Sequence, residues 1–456
     1  MIEKNIDWNK IKIIFNECTN KIMRMEALIN KKTLFRDDFE HKLMEYIKKI
    51  CNIKYIVVSK SKHQALYTIL KCFNINENEI KKIKIIDSIK YCENESIILL
   101  DNISINLSTY KELKHKDLFF KNFESFNKNK AMIFDYQNKI EEILSKHTNT
   151  KYCILTSCGT KSLVLALKCI GVKKNDEVIT TPLTFIATVN AIRLVGATPV
   201  FVDIKKDTWN IDENKIEEKI DDTVKAIIPV DIFGNPCNYD KINEIAKKHN
   251  IPVIDDMCQA MTSIYKNKKL GSICDVSCTS FYPTKPFGGF GEGGALFTND
   301  EQIYEMAKSI LDHGSDDNDN CIRVGTNGGF DMLHGVFLDV KAKYLPTILE
   351  KRNVIANIYK QMKNVTWQKQ ELNAISSWAR MQGIITDKKS KEIISKLFET
   401  DDLYSRDVCD NTLYKQYRKD TPNSEYITHN SISFPIYTYM NIKDLQNTVN
   451  NYNSLV

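Results

Sequence analysis

Tyr152-Cys153-Ile154-Leu155-Thr156-Ser157-Cys158-Gly159-Thr160-Lys161 sets a short apolar run against a turn of small residues that opens a helical pattern. The apolar spacing predicts a strand over Tyr152 to Thr156 and a helix over Thr160 to Ile170 that closes at Gly171. The alternation continues downstream. Glu177 to Thr180 reads as a strand and Phe185 to Val195 as a helix closing at Gly196. Pro199 to Asp203, Val224 to Val230 and Pro252 to Asp255 read as further buried strands, and Ile242 to His249 as a helix. Strand and helix in alternation predict an α/β domain with a mostly parallel sheet, whose ligands lie beyond the carboxyl ends of the strands.

Chemistry-bearing residues fall at those ends. Lys285 sits in Ser280-Phe281-Tyr282-Pro283-Thr284-Lys285-Pro286-Phe287-Gly288-Gly289, and Asp255-Asp256 close the run Ile251-Pro252-Val253-Ile254. A lysine amine can hold an aldehyde cofactor as a Schiff base, and a carboxylate at a strand end can keep a pyridine nitrogen protonated. The turn Thr156 to Lys161 offers free backbone N–H groups at a helix start, with Gly159 permitting close approach, which suits a phosphate. Phe185, just past the next strand, can stack on an aromatic ring. Each feature alone has a plainer explanation: an N-cap, a core aromatic, a surface lysine. Their joint order along one chain points to pyridoxal phosphate. Gly289, Gly291 and Gly294 match G-x-G-x-x-G by spacing, but they precede the strand-like Gly294 to Thr298 rather than follow a strand, so no nicotinamide site is read from them.

Composition bounds the alternatives. With 456 residues, 43% of them hydrophobic, the chain can bury two or three domains. The net charge of +6 is spread without a basic stripe interleaved with aromatics, so nucleic acid is not an expected partner. No uninterrupted apolar run approaches the length needed to span a bilayer, and a cytoplasmic protein is expected. The thirteen cysteines are scattered, with no Cys-x-x-Cys pair or His/Cys cluster of zinc spacing, and read as reduced, mostly buried thiols with no metal site.

Seven blocks then resemble a known family: Ser157-x-Gly159-Thr160, Asp176-Glu177-Val178-Ile179, Thr184-Phe185-x-Ala187-Thr188, Gly196 to Asp203, Val253-Ile254-Asp255-Asp256-x-x-Gln259-Ala260, Ser280-Phe281-x-x-x-Lys285 and Gly291-Glu292-Gly293-Gly294. They are similar to the DegT/DnrJ/EryC1/StrS aminotransferases, fold-type I pyridoxal phosphate enzymes that aminate nucleotide-linked keto sugars. The resemblance is strong over residues 134 to 363 and extends more weakly through Ser433-Phe434-Pro435-Ile436-Tyr437. By position, it implies that Lys285 is the Schiff-base lysine and proton shuttle, and that Asp256 pairs with the pyridine nitrogen. It implies further that Gln259 bonds the ring oxygen, that Phe185 stacks on the ring, and that Gly159, Thr160 and Ser280 hold the phosphate. Asn327 matches a residue that family members offer to the partner subunit's site, which implies a homodimer with shared active sites. The substrates implied are a nucleotide-linked 3- or 4-keto sugar and an amino donor, glutamate. This chain departs from the pattern at Gly329, where many relatives carry a basic residue, at Pro286, and at the bulkier pair Met257 and Cys258. Related dehydrases carry histidine in place of the lysine, so Lys285 argues against them. A non-catalytic pyridoxal-binding regulator, or an aminotransferase acting on a non-sugar cyclic ketone, stays open at this point.

Three segments are expected: an N-terminal extension over 1–130, a catalytic domain over 131–345, and a connecting helix with a small α+β domain over 346–456. Shifting the chain by 97 places residues 42–78 on 139–175 without a gap, and eleven residues recur, among them Lys54-Tyr55, Leu66 and Leu70-Lys71-Cys72. Chance in so biased a composition gives roughly three, so the extension reads as a partial duplication of the catalytic domain's opening. Its turn is Ser59-Lys60-Ser61-Lys62-His63, without the small residues of Gly159-Thr160, and a structural or regulatory role is expected. Near the C-terminus, Asn353 to Met362 reads as a continuing helix, and His313 and His334 read as structural.

Overall fold

The computed structural model describes residues 132–289, 291–418 and 420–456, all inside the unit Ser108–Val456. The extension over 1–130, with its repeat at 42–78, lies outside the described residues. In chain order the first elements are α1 (Met132–Thr148), β1 (Tyr152–Thr156), α2 (Gly159–Cys169), β2 (Glu177–Thr180), α3 (Ile186–Leu194), β3 (Thr198–Phe201), β4 (Val224–Ile227), α4 (Tyr239–His249) and β5 (Ile254–Asp256). There follow β6 (Ile264–Tyr265), β7 (Lys268–Lys269), β8 (Val276–Ser280), β9 (Gly294–Thr298), α5 (Glu301–Leu311), α6 (Met332–Ala342) and α7 (Leu345–Tyr359). The rest are β10 (Thr366–Trp367), β11 (Ala374–Ile375), β12 (Met381–Ile384), α8 (Lys388–Leu397), α9 (Pro422–Asn430), β13 (Ser431–Phe434) and α10 (Ile442–Leu455).

Both early helices stop where a glycine takes the left-handed conformation. Gly171 and Gly196 each have φ of 85°, and in both turns the next residue's N–H reaches back to the helix, Val172 to Leu167 O and Ala197 to Ile192 O. That closure satisfies carbonyls the helix end would otherwise leave unpaired. The chain then turns directly into β2 or β3.

The strands run in the order β3-β2-β4-β5-β8-β9-β1. β2 pairs in parallel with β3 and β4; isolated parallel bridges, Ile227 with Val253 and Val230 with Asp256, join β4 to β5; β5 pairs in parallel with β8. Only β9 runs against its neighbours, β8 and β1. The architecture is therefore α/β with a mostly parallel sheet. Leu163 and Leu167 of α2 pack with Val178, Ile254, Val276 and Leu296 of the strands in one apolar cluster, so burial of that helix face fixes where its N-terminus meets the strand ends.

A second core lies in the C-terminal part, where β10, β12 and β13 form an antiparallel sheet. Tyr359, Trp378, Phe398, Phe434, Val449 and Tyr452 fill it. The helix expected to reach Met362 ends at Tyr359; Met362 N–H still bonds Tyr359 O in the following turn, and its side chain is buried in this core. The apolar signal of Met362 is thus real but belongs to packing beyond the helix. Asp203, past β3, ties the two parts together: its carboxylate accepts from Asn423 N (3.1 Å) and Ser424 N (3.0 Å) at the start of α9. Among the described residues no helix is long and apolar enough to cross a membrane.

Candidate active site

Because successive strand residues face opposite sides, Asp255 and Asp256 at the end of β5 enter different surroundings. Asp256 is buried. One carboxylate oxygen accepts from Thr188 Oγ1 at 2.7 Å and the other from Cys258 N at 3.2 Å. Thr188 lies 2.7 Å from Thr184 Oγ1, so α3 and the turn before it orient the acid. Asp255 faces α4, where the Tyr239 hydroxyl lies 2.7 Å from Oδ1 of both Asp255 and Asp231. Burial pushes the Asp255 carboxyl up to about 7.

Lys285 follows β8 on a loop held by its own backbone. Phe281 N bonds Gly293 O at 2.8 Å, Gly289 N bonds Phe281 O at 2.7 Å, and Lys285 N bonds Tyr282 O at 2.9 Å. Helix α6 holds the same loop from outside: Lys341 Nζ donates to Gly288 O at 2.9 Å, and His334 Nδ1 lies 2.9 Å from Glu292 O. Burial holds the Lys285 amine below its ordinary value; the charge on Asp256 opposes that shift and the charge on Arg380 adds to it. The acid and the lysine therefore share one electrostatic neighbourhood, although 29 residues separate them in sequence.

The turn after β1 completes the arrangement. Cys158 is extended at the N-cap of α2 and supplies no side-chain cap, so the first N–H groups of an eleven-residue helix have no capping side chain. A Cβ on Gly159 would fall 2.8 Å from Ser280 Cβ, and one on Gly294 would fall 2.7 Å from the Cys158 carbonyl carbon. The absence of side chains at both positions lets the ends of β8 and β9 close on the turn. Ser280 thus touches Gly159, and its hydroxyl accepts from Tyr282 N at 3.2 Å.

The remaining expected residues fall nearby with differing surroundings. Phe185 stands at the N-cap of α3 with 48% of its surface exposed, an unusual cost for an aromatic ring unless something covers it. Gln259 accepts from Phe233 N at 3.0 Å and donates to Tyr404 Oη at 2.9 Å; an amide nitrogen carries two hydrogens, so the bond to Tyr404 leaves one for another acceptor. Thr160 is partly exposed on the first turn of α2. Asn327 is exposed on the segment beside that turn, where Gly328 O accepts from Ser157 N at 3.1 Å and Thr326 Oγ1 bonds Lys161 Nζ. Its backbone forms an isolated antiparallel bridge with Asp312.

Sequence reasoning missed Thr188, Tyr404 and Arg380 as site residues. Thr188 stood inside a quoted block but carried no chemical signal of its own. Tyr404 and Arg380 come from the C-terminal part, 145 and 121 residues beyond Gln259, and only the tertiary fold brings them to it. Arg380 Cζ lies 5.4 Å from the Tyr404 ring centroid.

The sheet order, the lysine after β8 and the buried acid ending β5 define the fold-type I class of transferases. A solved DegT DnrJ EryC1 StrS aminotransferase from Brucella abortus superposes with a TM-score of 0.69 at 25% identity, covering 78% of this chain and 99% of that one. NtdA from Bacillus subtilis, solved with bound cofactor PMP, gives a TM-score of 0.68 at 23% identity, covering 83% and 92%, and speaks for the fold. The family model of the DegT/DnrJ/EryC1/StrS aminotransferases matches residues 116–452. The chain belongs to that family. Among curated relatives, the UDP-2-acetamido-2-deoxy-3-oxo-D-glucuronate aminotransferase of Pseudomonas aeruginosa is 39% identical over 221 residues, 48% of this chain and 62% of that protein. The GDP-perosamine synthase of Escherichia coli O157:H7 is 40% identical over 180 residues, 40% of this chain and 49% of that protein. The chain thus aligns with less than two thirds of the length of each.

Proposed function

We propose that the protein is a pyridoxal phosphate-dependent aminotransferase that moves an amino group from glutamate to a nucleotide-linked 3- or 4-keto sugar. The observation that carries this reading is the convergence of the Lys285 amine and the Thr188-braced Asp256 carboxylate beside the uncapped start of α2. The residues suit the cofactor: a half-exposed aromatic at Phe185, a buried acid, a lysine whose proton is loosely held, and a helix start that a phosphate would complete. When bound, pyridoxal phosphate supplies an aldehyde for amine linkage and a ring that takes up the electron pair left when a Cα–H bond breaks.

The chain's own groups do the rest. Lys285 would hold the cofactor and, once released by the donor amine, would take the Cα proton in the donor half-reaction and deliver a proton to the sugar carbon in the acceptor half-reaction. Burial lowers the amine's proton affinity, which favours its action as a base. Asp256, kept in place by Thr188 and Cys258 N, would keep a proton on the ring nitrogen. The first N–H groups of α2, with Thr160 and Ser280, would hold the phosphate, while Phe185 would cover the ring and Gln259 would bond the ring oxygen. Donor and acceptor use one site in turn, so the kinetics are ping-pong. The family relatives named for UDP- and GDP-linked sugars support a nucleotide sugar as acceptor. Asn327, exposed beside the phosphate turn, supports a homodimer in which this edge meets a partner's site. The presence of the whole lysine, aspartate, glutamine and serine set weighs against a non-catalytic regulator.

The test is transfer of ¹⁵N from labelled glutamate to a panel of UDP-, dTDP- and GDP-linked 3- and 4-keto sugars, read by mass. A labelled amino sugar from one member of the panel is expected. A cofactor-loaded protein that labels none of them overturns the assignment.

A further inference from the structure

Arg380 stands immediately before β12, and its guanidinium is fixed from two sides. Nη1 donates to both Asp401 oxygens at 2.9 Å and to Ser433 Oγ at 3.2 Å, while the Tyr404 ring lies against Cζ at 5.4 Å. Asp401 is itself held rigidly: its backbone exchanges two hydrogen bonds of 3.0 Å with Ser433, and its side chain accepts from Leu403 N at 3.1 Å. Tyr404 in turn bonds Gln259, three residues beyond Asp256. One buried aromatic ring therefore separates the guanidinium from the amide beside the proposed ring-nitrogen acid.

A guanidinium has five N–H donors. Among the described residues Asp401 and Ser433 occupy Nη1 alone, which leaves the Nε–Nη2 edge, two parallel donors matched to the two oxygens of a carboxylate. The charge balance favours such a ligand as well. Asp401, the acid paired with Arg380, has 56% of its side chain exposed and so neutralises the cation weakly through solvent, whereas Arg380 is 23% exposed. The influence of Arg380 reaches the Lys285 amine. Any amino-acid donor must bring a carboxylate to within two bonds of the nitrogen that replaces that amine.

We propose that Arg380 is a carboxylate-binding residue for substrates reacting at Lys285, with Asp401 and Tyr404 as the residues that position it. The inference rests on the aminotransferase reading and adds the recognition of one charged group. The carboxylate can come from the donor amino acid or from a uronic acid sugar; both present the same planar anion.

Two measurements decide it. On the full chain loaded with pyridoxal phosphate, maleate, a dicarboxylate without an amine, should protect Arg380 from phenylglyoxal, slowing its labelling by about tenfold or more as read by peptide mass. Unchanged labelling at saturating maleate overturns the proposal. In the second, Arg380→Gln should raise the half-saturation for glutamate by about tenfold or more, leave that for a nucleotide-linked keto sugar without a carboxylate unchanged, and be partly rescued by Arg380→Lys. A rise confined to a keto sugar bearing a carboxylate assigns the site to the sugar. Equal loss with glutamate and with a keto sugar that has no carboxylate overturns it. Should Arg380→Gln fail to fold, the labelling of the unaltered chain decides alone. A chain that protects Arg380 with maleate yet transfers no nitrogen would sink the transaminase and leave the carboxylate site standing.

Discussion

At the scale of single residues, the proposed chemistry depends on how each charged group is held. Asp256 is useful only as an anion with a fixed direction, and Thr188 contributes one of its two strong hydrogen bonds. Replacing Thr188 with Val removes a bond to a charged acceptor, a loss of about 1.5–3 kcal/mol where the acceptor is buried. The donor half-reaction followed by stopped-flow absorbance should slow by about tenfold or more. Asp256→Asn keeps the size and removes the charge, so the same rate constant should fall by orders of magnitude while the cofactor stays bound; an unchanged rate would refute the role given to Asp256. Lys285→Ala removes both the attachment point and the proton carrier, and turnover should vanish into background. Near-normal transamination by that variant would show the wrong lysine had been chosen.

Elements place these residues, and the loop between β8 and β9 is the one most exposed to test. Gly289 packs directly against the His334 imidazole of α6, leaving no room for a methyl group. Gly289→Ala should lower stability by about 1–3 kcal/mol, as overpacking does, and adding His334→Ala should recover part of the loss in denaturant unfolding. Losses that simply add would mean the two positions do not meet. The strands β1, β2 and β9 were legible to the residue because each is an apolar run ending at turn chemistry; Asp256 stood out as a candidate because it closes an apolar run, and Lys285 because it lies between an apolar stretch and a glycine cluster. β8 was not. Val276-Ser277-Cys278-Thr279-Ser280 is too polar to announce a strand, and it is buried only because β5 and β9 flank it. The end of α7 was overshot because Met362 is apolar for the sake of the C-terminal core. Thr188, Tyr404 and Arg380 stayed hidden for another reason: a hydroxyl, a ring and a guanidinium acquire a role here only through partners that folding brings from distant parts of the chain.

For the molecule as a whole, the face of β5 opposite Asp256 sets a pH dependence. Tyr239 has one hydroxyl proton for two buried carboxylates at 2.7 Å, and a proton kept by the Asp231–Asp255 pair avoids burying two like charges side by side. Burial is the main cause that raises both, Asp255 to about 7. Unfolded aspartate releases its proton near pH ~3.9. Between these values the pair makes the folded chain bind more protons than the unfolded one, so its contribution to stability falls as pH rises from ~4 to ~7, while His147 and His334, each lowered to about 4 chiefly by burial, contribute in the opposite direction. In urea unfolding, Asp255→Asn, which removes one of the two acids, should gain stability relative to the unaltered protein as pH rises from ~4 to ~7; parallel curves would contradict the shared proton. The central claim, that the end of β5 and the loop after β8 form one cofactor site, has a more direct test. The purified protein is treated with borohydride in the presence of pyridoxal phosphate, digested, and its peptides weighed. The account predicts a phosphopyridoxyl group fixed on the peptide carrying Lys285 and on no other; the group on a different lysine, or on none, would contradict it.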